Sequence, residues 1–524
     1  MLDLVLYNGH VLTQAVPAVA GAVSVRAGRI AVVGSTEDVV REAGSSTRRI
    51  DLAGRTLVPG FNDAHAHIWK IGHLLTTMLD LRGVEGLDDL SGRVRSFGAK
   101  LPDGAWLLGR GYNEAAMLEQ RPPTRADLDR AAPNRPVVLT RTCGHIYAVN
   151  SRALEAAGIG PDTASPVGGI VGRDERGQPT GLLHETAMGL VTRVIPPPAA
   201  GDYETMILAA LRHQLSLGIT SSSDCGVSPA LLAVYRAADA KGALPSRINV
   251  MPLRRMDGVP APLPLPERFE SEMLRVDTIK FLADGGLSGA TAALSVNYRH
   301  AGHKGVLRFD REELLELCRE THQAGWRIAT HAIGDAAIDQ ILDIYESLGA
   351  HPRGVAHRIE HFGLPDASQL VRAAKLRVIA APQPIFIHSL GRNFRNYLPD
   401  SFLPRTYPIR AMLDTGVRVA LSSDAPVVED DDPLAGMMAA ITRRDNDGHS
   451  IAKEQAIDAR EALFGYTMGG AVASGDEGNR GSIEPGKWAD LTVLSGDPLS
   501  WPVDALPDIE VDMTLVGGQV AFER

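Results

Sequence analysis

The stretch FNDAHAH places two histidines, His65 and His67, at the end of an apolar run. Side chains at positions i and i+2 of an extended segment point to the same face, so both imidazoles can reach one ion. Neutral imidazole suits Zn²⁺ and other borderline divalent ions. The pair is also compatible with two structural histidines that hydrogen-bond to backbone carbonyls. Other parts of the chain must decide between a metal site and ordinary packing.

Three further candidate ligands end or follow β-branched runs: His331 in WRIATHAIGD, His361 in AHRIEHFG and Asp424 in VRVALSSDAP. Each falls at the end of a predicted strand, as His65 and His67 do. In a barrel of parallel strands, the carboxyl ends of all strands meet at one face, where active sites are built. The five side chains together predict a metal centre at that face.

Lys280 is the unusual member of this set, because it lies among apolar residues in the predicted strand of TIKFLADGG. Burial lowers the pKa of a lysine, and the neutral amine can take up CO2. The product, an N6-carboxylated lysine, is an anion whose two oxygens can bridge two metals. The alternative is a lysine that extends to solvent or pairs with a buried acid such as Asp284.

Strands and helices are predicted to alternate in the middle of the chain. From about residue 205, seven β-branched runs alternate with helical-period segments such as DREELLELCRETHQAG and GDAAIDQILDIYESLG. With TLVPGFNDAHAH they make eight strands, and repeated βα units of this length predict an α/β fold, a parallel (β/α)8 TIM-like barrel. Residues 75–205 are too long for one crossover and are predicted to form an insertion after the first strand.

Both ends of the chain are typical of short strands separated by turns, as in LDLVLYNGHVLT and VDMTLVGGQVAFER. Neither end is long enough to form a stable sheet alone. We therefore expect residues 1–58 and 471–524 to pair with each other around a barrel of residues 59–470.

The amino-acid composition and net charge limit the kinds of molecule that the protein can be expected to bind. The chain has 524 residues, of which 44% are hydrophobic and 22% are charged, and its formal net charge is -10. That charge offers no bulk attraction to nucleic acid or to an anionic membrane. Three distant cysteines exclude a disulfide framework, and no apolar stretch approaches the roughly 18 residues needed to span a bilayer. The N-terminus lacks the pattern of a signal peptide, so a cytoplasmic location is expected. A small-molecule substrate is expected as well.

Several motifs, in this order, resemble the amidohydrolase superfamily, and within it the YtcJ-like metal-dependent hydrolases that include N-substituted formamide deformylases. The motifs run almost end to end: LVPGFNDAHAH, GRGYNE, RTCGHIYAVNSRAL, GQPTGLLHETAM, GITSSSDCG, IKFLADGGLSGATAAL, HAIGDAAID, RIEHFGLP, ALSSDAPV and GSIEPGKWADLTVL. The resemblance implies a barrel with a small β-sandwich built from both chain termini, and it suggests a homodimer.

The resemblance also implies how two metals would share the ligands. The first metal would be held by His65, His67 and Asp424, the second by His331 and His361, with carboxylated Lys280 as the bridge. Two Zn²⁺ ions are expected, with Mn²⁺, Co²⁺ or Fe²⁺ as alternatives. Some relatives carry a single metal, so the metal count stays open at this point.

One residue departs from the pattern of the family on the substrate side. Many YtcJ-like chains carry a histidine two residues after the QP of the seventh strand, where this chain has Phe386. Phenylalanine can form an apolar wall but cannot polarise a carbonyl. The pattern QPIF resembles the formamide-deformylase side of the family. Tyr112, Asn113 and Glu185 are further substrate-binding candidates, and a structural or solvated role is open for each.

Together with these residues, the resemblance implies hydrolysis of a non-peptide amide-type C–N bond, of the N-formyl or N-acyl amine class. The metal centre would lower the pKa of a bound water and polarise the scissile carbonyl. Asp424 is the candidate general base, taking the proton from that water and passing it to the leaving amine. A purely structural ligand is the alternative for Asp424. His145 is the candidate that steadies the carbonyl oxygen, unless it is a structural histidine of the insertion.

Three other functions remain open from the sequence. The same metal scaffold can support a deaminase or a cyclic amide hydrolase, although HAIGD lacks the nearby glutamate base of the mononuclear deaminases. A thiol hydrolase using Cys143 beside His145 would need a third group to orient the histidine. A catalytically inactive binding barrel is expected to have lost ligands, whereas all six positions are filled.

Overall fold

The structure is a computed structural model that describes residues 2–142, 144, 146–166, 169–256, 261–299 and 302–524. The chain forms two compact units, one of residues 1–68 and 211–524 and one of residues 69–210. In the part of the chain that the structure describes, no helix is both long and apolar enough to cross a membrane.

The secondary-structure elements are numbered in chain order. The strands are β1 Leu4–Tyr7, β2 His10–Leu12, β3 Val19–Ala20, β4 Ala22–Arg26, β5 Arg29–Gly34, β6 Arg48–Asp51, β7 Thr56–Pro59, β8 Phe61–Ala66, β9 Leu79–Asp80, β10 Leu107–Tyr112, β11 Val137–Arg141, β12 Ile146–Val149, β13 Gly169–Arg173, β14 Pro179–Glu185, β15 Ile219–Val227, β16 Arg247–Pro252, β17 Phe269–Glu270, β18 Leu274–Val276, β19 Thr278–Leu282, β20 Arg327–Ala332, β21 Arg358–His361, β22 Ile379–Ala381, β23 Arg418–Val419, β24 Leu491–Leu494, β25 Val511–Val516 and β26 Gln519–Glu523. The α-helices are α1 Thr36–Arg41, α2 Ile68–Thr76, α3 Leu87–Gly98, α4 Arg125–Ala131, α5 Ser151–Ala156, α6 Gly189–Thr192, α7 Ala200–Ser216, α8 Pro229–Ala240, α9 Arg311–Gln323, α10 Asp335–Leu348, α11 Ala367–Lys375, α12 Ile385–Tyr397, α13 Ile409–Asp414, α14 Pro433–Thr442, α15 Ala459–Phe464 and α16 Gly470–Ser474.

Two sheets of the first unit are built from strands near the chain ends. One has the order β5-β4-β1-β6, and the other has the order β26-β25-β24-β7-β2-β3. In the second sheet, β7 pairs antiparallel with β24, with Val58 opposite Thr492. Apolar side chains of both sheets share one core that includes Leu6, Val25 and Leu491. Strands from the two ends of the chain therefore pair directly and bury a common apolar surface.

Two parallel sheets carry the strands that were predicted for the barrel. β8, β15, β16 and β18 run parallel in one sheet, and β19 to β23 run parallel in the other. Backbone hydrogen bonds join the two sheets at both edges. At one edge Arg254 N–H donates to the Lys280 carbonyl at 3.1 Å, and at the other Asp424 N–H donates to the His65 carbonyl at 2.8 Å. Each of the eight predicted strand segments contains an observed strand of this arrangement.

Gly60 separates the strand of the terminal sheet, β7, from the first parallel strand, β8. Its N–H donates to the Asp490 carbonyl at 2.9 Å. A β-carbon at this position would lie 2.2 Å from Thr220 Oγ1, which is closer than any side chain tolerates. The sequence TLVPGFNDAHAH, predicted as one strand, is therefore two strands in two different sheets, and the glycine between them permits a close approach to Thr220 of β15.

The second unit has its own six-stranded sheet, with the order β13-β14-β12-β11-β10-β9. The sheet is mixed, because β10 pairs parallel with β9 and β11 whereas the remaining pairs are antiparallel. Helix α4 begins with a capping box in which Thr124 and Asp127 satisfy each other's backbone N–H groups. An apolar core on this sheet includes Tyr112, which is fully buried.

Candidate metal centre

Strand β8 places its two histidines beside Asp424. The Nε2 atoms of His65 and His67 lie 3.4 Å and 3.2 Å from the same oxygen, Oδ1 of Asp424. Two backbone hydrogen bonds hold the end of β8 against the loop that carries Asp424. Asp424 N–H donates to the His65 carbonyl at 2.8 Å, and His67 N–H donates to the Ala425 carbonyl at 2.9 Å. The three side chains could therefore hold one ion between them.

His361 joins this group from β21. Its ring centre is 4.8 Å from that of His65 and 4.4 Å from that of His331. Its Nδ1 lies 2.7 Å from Oε1 of Gln383, so the amide oxygen accepts the N–H of this nitrogen and Nε2 is the atom left for a metal. The φ angle of His361 is 69°, a left-handed conformation that ends the strand.

His331, near the end of β20, is oriented by the loop after β19. Its Nε2 lies 3.1 Å from the Gly285 carbonyl and 3.3 Å from Oδ1 of Asp284. The Asp284 carboxylate in turn accepts the backbone N–H groups of Ala293 and Gly334. Since Nε2 is used for these contacts, Nδ1 of His331 is the nitrogen that remains for a metal.

Lys280 is buried in β19, with 2% of its surface exposed. Its Nζ hydrogen-bonds to none of the described residues. The carboxylate of Asp284 accepts three backbone N–H groups and has no hydrogen bond to Lys280. A buried amine without a partner is costly and needs an explanation. A group added to Nζ, or a ligand beside it, would supply one.

The protonation states of the cluster suit metal ligands. Burial lowers the pKa of the His65 and His361 imidazoles, helped by the positive charge of Lys280 and, for His361, by His331. Burial opposes ionisation of Asp424, but the histidines His65, His67 and His361 outweigh it and hold the pKa of the carboxyl well below its usual range. Neutral imidazoles and an ionised carboxylate are the forms that bind divalent metals.

Glu360 belongs to the candidate site and was not predicted from the sequence. Its Oε2 lies 2.6 Å from Nδ1 of His65, and its carboxylate is fully buried. Arg358 donates to both of its oxygens, at 2.8 Å and 2.9 Å, and also to the Ala64 carbonyl at 2.7 Å. Burial would raise the pKa of Glu360, but the Arg358 guanidinium outweighs it and holds that pKa well below its usual value. Glu360 therefore fixes the His65 ring with Nε2 directed to Asp424.

Asp63 lies two residues before His65 in the same strand, β8, and is buried. It accepts hydrogen bonds from the N–H groups of His65 and Ser423 and from the Ser423 hydroxyl, the last at 2.5 Å. Burial raises its pKa to about 7. These bonds tie β8 to the loop that carries Asp424.

Phe386, which stands where many YtcJ-like chains carry a histidine, lies beside His361. The two rings are nearly parallel, with an interplanar angle of 17° and centres 6.5 Å apart. Phe386 is 5% exposed and belongs to an apolar cluster built from the loops that follow the strands, including Leu287, Ile333 and Tyr407. It therefore forms an apolar wall next to the histidine.

The remaining predicted site residues lie in the second unit. Tyr112 ends β10 inside the core of that unit, and Oδ1 of Asn113 accepts a hydrogen bond from Arg141 at 3.4 Å. Glu185 ends β14 but its side chain lies outside the described residues, as do Cys143 and His145. The roles predicted for His145 and Glu185 therefore stay predictions.

The sequence as a whole identifies the class of protein. A model of the amidohydrolase family matches residues 48–522. The chain belongs to the amidohydrolase family. Among curated relatives, YtcJ of Bacillus subtilis (strain 168) is 33% identical over 96% of both chains. An N-substituted formamide deformylase of Arthrobacter pascens is 32% identical over 100% of this chain and 99% of its own length.

A solved structure supports the assignment to this amidohydrolase family. The crystal structure of an uncharacterized metal-dependent hydrolase from Pyrococcus horikoshii OT3 matches with a TM-score of 0.80 and 27% identity, over 96% of this chain and 99% of its own. The protein is thus an amidohydrolase, a metal-dependent hydrolase that acts on C–N bonds. Its parallel strands form a TIM-barrel-like fold, the arrangement expected from the sequence.

Proposed function

We propose that this amidohydrolase cleaves the C–N bond of N-formyl or N-acyl amines, releasing the amine and a carboxylic acid. The observation that carries the proposal is the convergence of His65 and His67 on one oxygen of Asp424. The name of the Arthrobacter pascens relative, which is similar over its whole length, supports the formamide class. The terminal sheets, which share one core, are proposed to form the small β-sandwich expected from the sequence.

Five side chains and Lys280 are proposed to hold two divalent ions. His65 and His67 would bind through Nε2, together with Asp424. His361 would bind the second ion through Nε2 and His331 through Nδ1, because their other nitrogens are used by Gln383 and the Gly285 carbonyl. Zn²⁺ suits this set of nitrogen and oxygen donors, and Mn²⁺, Co²⁺ and Fe²⁺ are the alternatives.

Lys280 is proposed to be N6-carboxylated and to bridge the two ions. In this modification the nitrogen lone pair attacks the carbon of CO2, and one proton leaves the nitrogen, so that a carbamate anion remains. The buried Nζ, which lacks a hydrogen-bond partner among the described residues, is the supporting observation. The carbamate would place a negative charge beside the candidate histidine ligands, which would stabilise bound cations.

Asp424 is proposed as the general base. Bound metal ions supply two effects, lowering the pKa of a water molecule and polarising the scissile carbonyl. Asp424 then takes the proton of the attacking water and delivers it to the nitrogen of the leaving amine. His145 is proposed to bind the carbonyl oxygen. Phe386, Tyr112, Asn113 and Glu185 are proposed to contact the substrate.

The reaction is tested with the purified, Zn²⁺-loaded chain and a panel of N-formylbenzylamine, N-acetylbenzylamine, a cyclic urea and the cyclic amidine cytosine, by measuring released amine and ammonia. Amine should be released from the formyl or acetyl compound. Asp424→Asn should lower kcat by about 10²–10⁴-fold, the usual contribution of a general base, with an unchanged far-ultraviolet circular dichroism spectrum. Asp414→Asn, at an exposed carboxylate, is the matched control. Release of ammonia alone would favour the deaminase alternative and contradict the proposal.

The modified lysine is tested separately with ¹³C-labelled bicarbonate. A carbamate carbon signal should appear in the metal-loaded wild type and be absent in Lys280→Met, which should also bind fewer metal ions. Lys304→Met, at an exposed lysine, should behave as wild type. A wild-type protein with one metal per chain and no incorporated label would overturn the two-metal version.

A further inference from the structure

One buried tyrosine differs from the others in its hydrogen bonding. Four buried tyrosines of the first unit place their hydroxyl within 3.5 Å of an oxygen acceptor in the protein: Tyr235 at Asp224, Tyr298 at the Ala292 carbonyl, Tyr345 at the Arg358 carbonyl and Tyr466 at the Ser422 carbonyl. Tyr407 is 1% exposed and its hydroxyl hydrogen-bonds to none of the described residues, but this oxygen is not among the fully buried polar atoms and so keeps a small contact with solvent. The hydroxyl of a tyrosine this deeply buried usually has a protein partner, so a Tyr407 hydroxyl that has none and still meets solvent can bind a ligand.

The backbone of Tyr407 is held firmly in an unusual conformation. Its φ angle is 46°, which is uncommon for a residue with a bulky side chain. Its N–H donates to the Gly363 carbonyl at 2.7 Å. The fully buried Arg443 donates to the carbonyls of Tyr407 and Thr406, at 3.1 Å and 2.6 Å. These hydrogen bonds from a buried arginine hold the backbone of Tyr407, and therefore the base of its side chain, in one position.

The ring projects toward the metal centre. Its Cζ atom lies 3.5 Å from the position that a β-carbon on Gly363 would take, and Gly363 follows His361 by two residues. The ring also meets Phe386 edge-on, with centres 6.1 Å apart, and Phe386 is the residue parallel to the His361 ring. The phenol therefore lies near the end of β21, against Gly363 and Phe386, which are both neighbours of the candidate metal-binding His361.

The electrostatic surroundings keep the proton on this hydroxyl. Burial raises the pKa of Tyr407 well above its usual value, and the negative charges of Asp424 and Asp284 raise it further. The hydroxyl therefore keeps its proton near neutral pH and can donate a hydrogen bond. Its apolar neighbours, which include Phe386 and Phe394, exclude water and strengthen a hydrogen bond made there.

We propose that Tyr407 is a catalytic residue whose hydroxyl donates a hydrogen bond to the oxygen of the scissile carbonyl. This inference rests on the proposed amide hydrolysis. The bond is weak while that oxygen is a neutral carbonyl and strengthens as the attack of water gives the oxygen negative charge, so it favours the transition state. Tyr407 is a donor in addition to His145, and it supplies the polarising group that Phe386 cannot.

The test compares Tyr407→Phe with Tyr298→Phe, its matched control in the same apolar cluster. Both variants lose one buried hydroxyl, but only Tyr298 uses its hydroxyl within the protein. Tyr407→Phe should keep the thermal unfolding midpoint of wild type and lower kcat/KM for the formamide by about 10²–10³-fold, as for the loss of one oxyanion donor. Tyr298→Phe should lower the unfolding midpoint and leave kcat/KM unchanged.

A second measurement uses an N-benzyl phosphonamidate, a stable tetrahedral anion, as a binding probe for the Zn²⁺-loaded proteins. Tyr407→Phe should bind it at least about tenfold more weakly than wild type, and Tyr298→Phe should bind it equally well. A wild type that is active while Tyr407→Phe retains full kcat/KM and full probe affinity overturns the Tyr407 inference alone. A wild type that neither hydrolyses the panel nor binds the probe overturns the proposed function, and this inference with it.

Discussion

Glu360 and His65 form a fully buried pair in which a carboxylate oxygen lies 2.6 Å from the imidazole Nδ1. Arg358 neutralises the carboxylate from the other side. A carboxylate behind a ligating histidine fixes its tautomer and raises its basicity, and loss of such a partner typically weakens metal binding by about 10–100-fold. Glu360→Gln should therefore bind Zn²⁺ more weakly by about this factor, as measured by competition with a chromophoric chelator.

Measurements of unfolding free energy distinguish a direct effect of Glu360 on metal binding from a general loss of core stability. Glu360→Gln leaves the Arg358 guanidinium without its counter-ion, which should cost about 3–5 kcal/mol of unfolding free energy. The double variant Arg358→Met with Glu360→Gln should recover much of that stability, because an apolar side chain replaces the stranded charge. It should keep the weakened Zn²⁺ affinity. Wild-type affinity in either variant would contradict the role of Glu360.

Gly334 should be intolerant of any side chain. A β-carbon there would lie 1.9 Å from the Ala293 carbonyl oxygen, a backbone atom, and the Gly334 N–H donates to Asp284 at 2.8 Å. Gly334→Ala should destabilise the protein by at least about 2 kcal/mol in urea unfolding and should disturb Asp284, which lies against His331. Gly92→Ala is the control: Gly92 lies inside α3 in open space, as far as the described residues show, and its replacement should stabilise by up to about 1 kcal/mol.

Phe386 and Phe394 give a matched pair for the substrate pocket. Both are buried in the same apolar cluster, but only Phe386 lies parallel to His361. Replacement of either by alanine should cost about 3–5 kcal/mol of stability, because each leaves a cavity. Only Phe386→Ala should also raise KM for an N-benzyl formamide. Equal KM values in steady-state kinetics would show that Phe386 does not contact the substrate.

Three histidines away from the metal centre, His322, His351 and His357, form a cluster that requires neutral rings. His357 Nδ1 accepts the Ile328 N–H at 3.1 Å, so its Nε2–H donates to His322 Nδ1 at 3.0 Å. His351 accepts the Arg353 N–H through Nδ1 and donates to the Trp326 carbonyl through Nε2. Protonation of an accepting nitrogen would break one of these bonds.

The histidine cluster should make the protein sensitive to acid. Burial lowers the pKa of all three rings, most strongly that of His357, with the positive charges of Arg327 and Arg353 near the cluster and the Tyr345 ring packed on His357. Because the folded-state pKa lies below that of the unfolded chain, near 6.5, the unfolded state binds protons first as the pH falls. The stabilisation is complete above about pH 6.5 and is lost below it, by up to about 1.4 kcal/mol per pH unit for each histidine.

His357→Gln tests this pH dependence, because the glutamine amide can still accept from Ile328 and donate to His322 without titrating. Its unfolding free energy in urea should fall less between pH 7 and pH 5 than that of wild type. His303→Gln, at an exposed histidine, should show the wild-type slope. A variant His357→Gln with the wild-type slope would show that the cluster does not govern acid stability.

The strand periodicity of the sequence predicts the positions of the metal-binding candidates well, because β-branched runs mark where parallel strands end. It does not predict Glu360, since strict alternation would place Glu360 and His361 on opposite faces of β21. Both nonetheless lie beside His65. The backbone at His361 and Phe362 is left-handed, with φ angles of 69° and 48°, and neither residue is a glycine that would signal it.

The position of the Tyr407 hydroxyl could not be predicted from the sequence either. Its place depends on Arg443 and Gly363, which are distant along the chain and carry no motif. Gln383 lies in the QP motif, yet its bond to His361 depends on the register of two strands rather than on local pattern. Local sequence thus indicates which residues could bind a metal, whereas the groups that orient them follow from tertiary packing.

The strand that carries His65 and His67 begins one residue after β7, whose antiparallel partner is β24. During synthesis on the ribosome, β7 can pair with β2 as soon as both strands have emerged, but its other edge has no partner until residues 491–494 have been translated. The Gly60 N–H likewise waits for the Asp490 carbonyl. We therefore expect the histidine pair to be held in its final position, and able to bind a metal, only after translation has passed these residues.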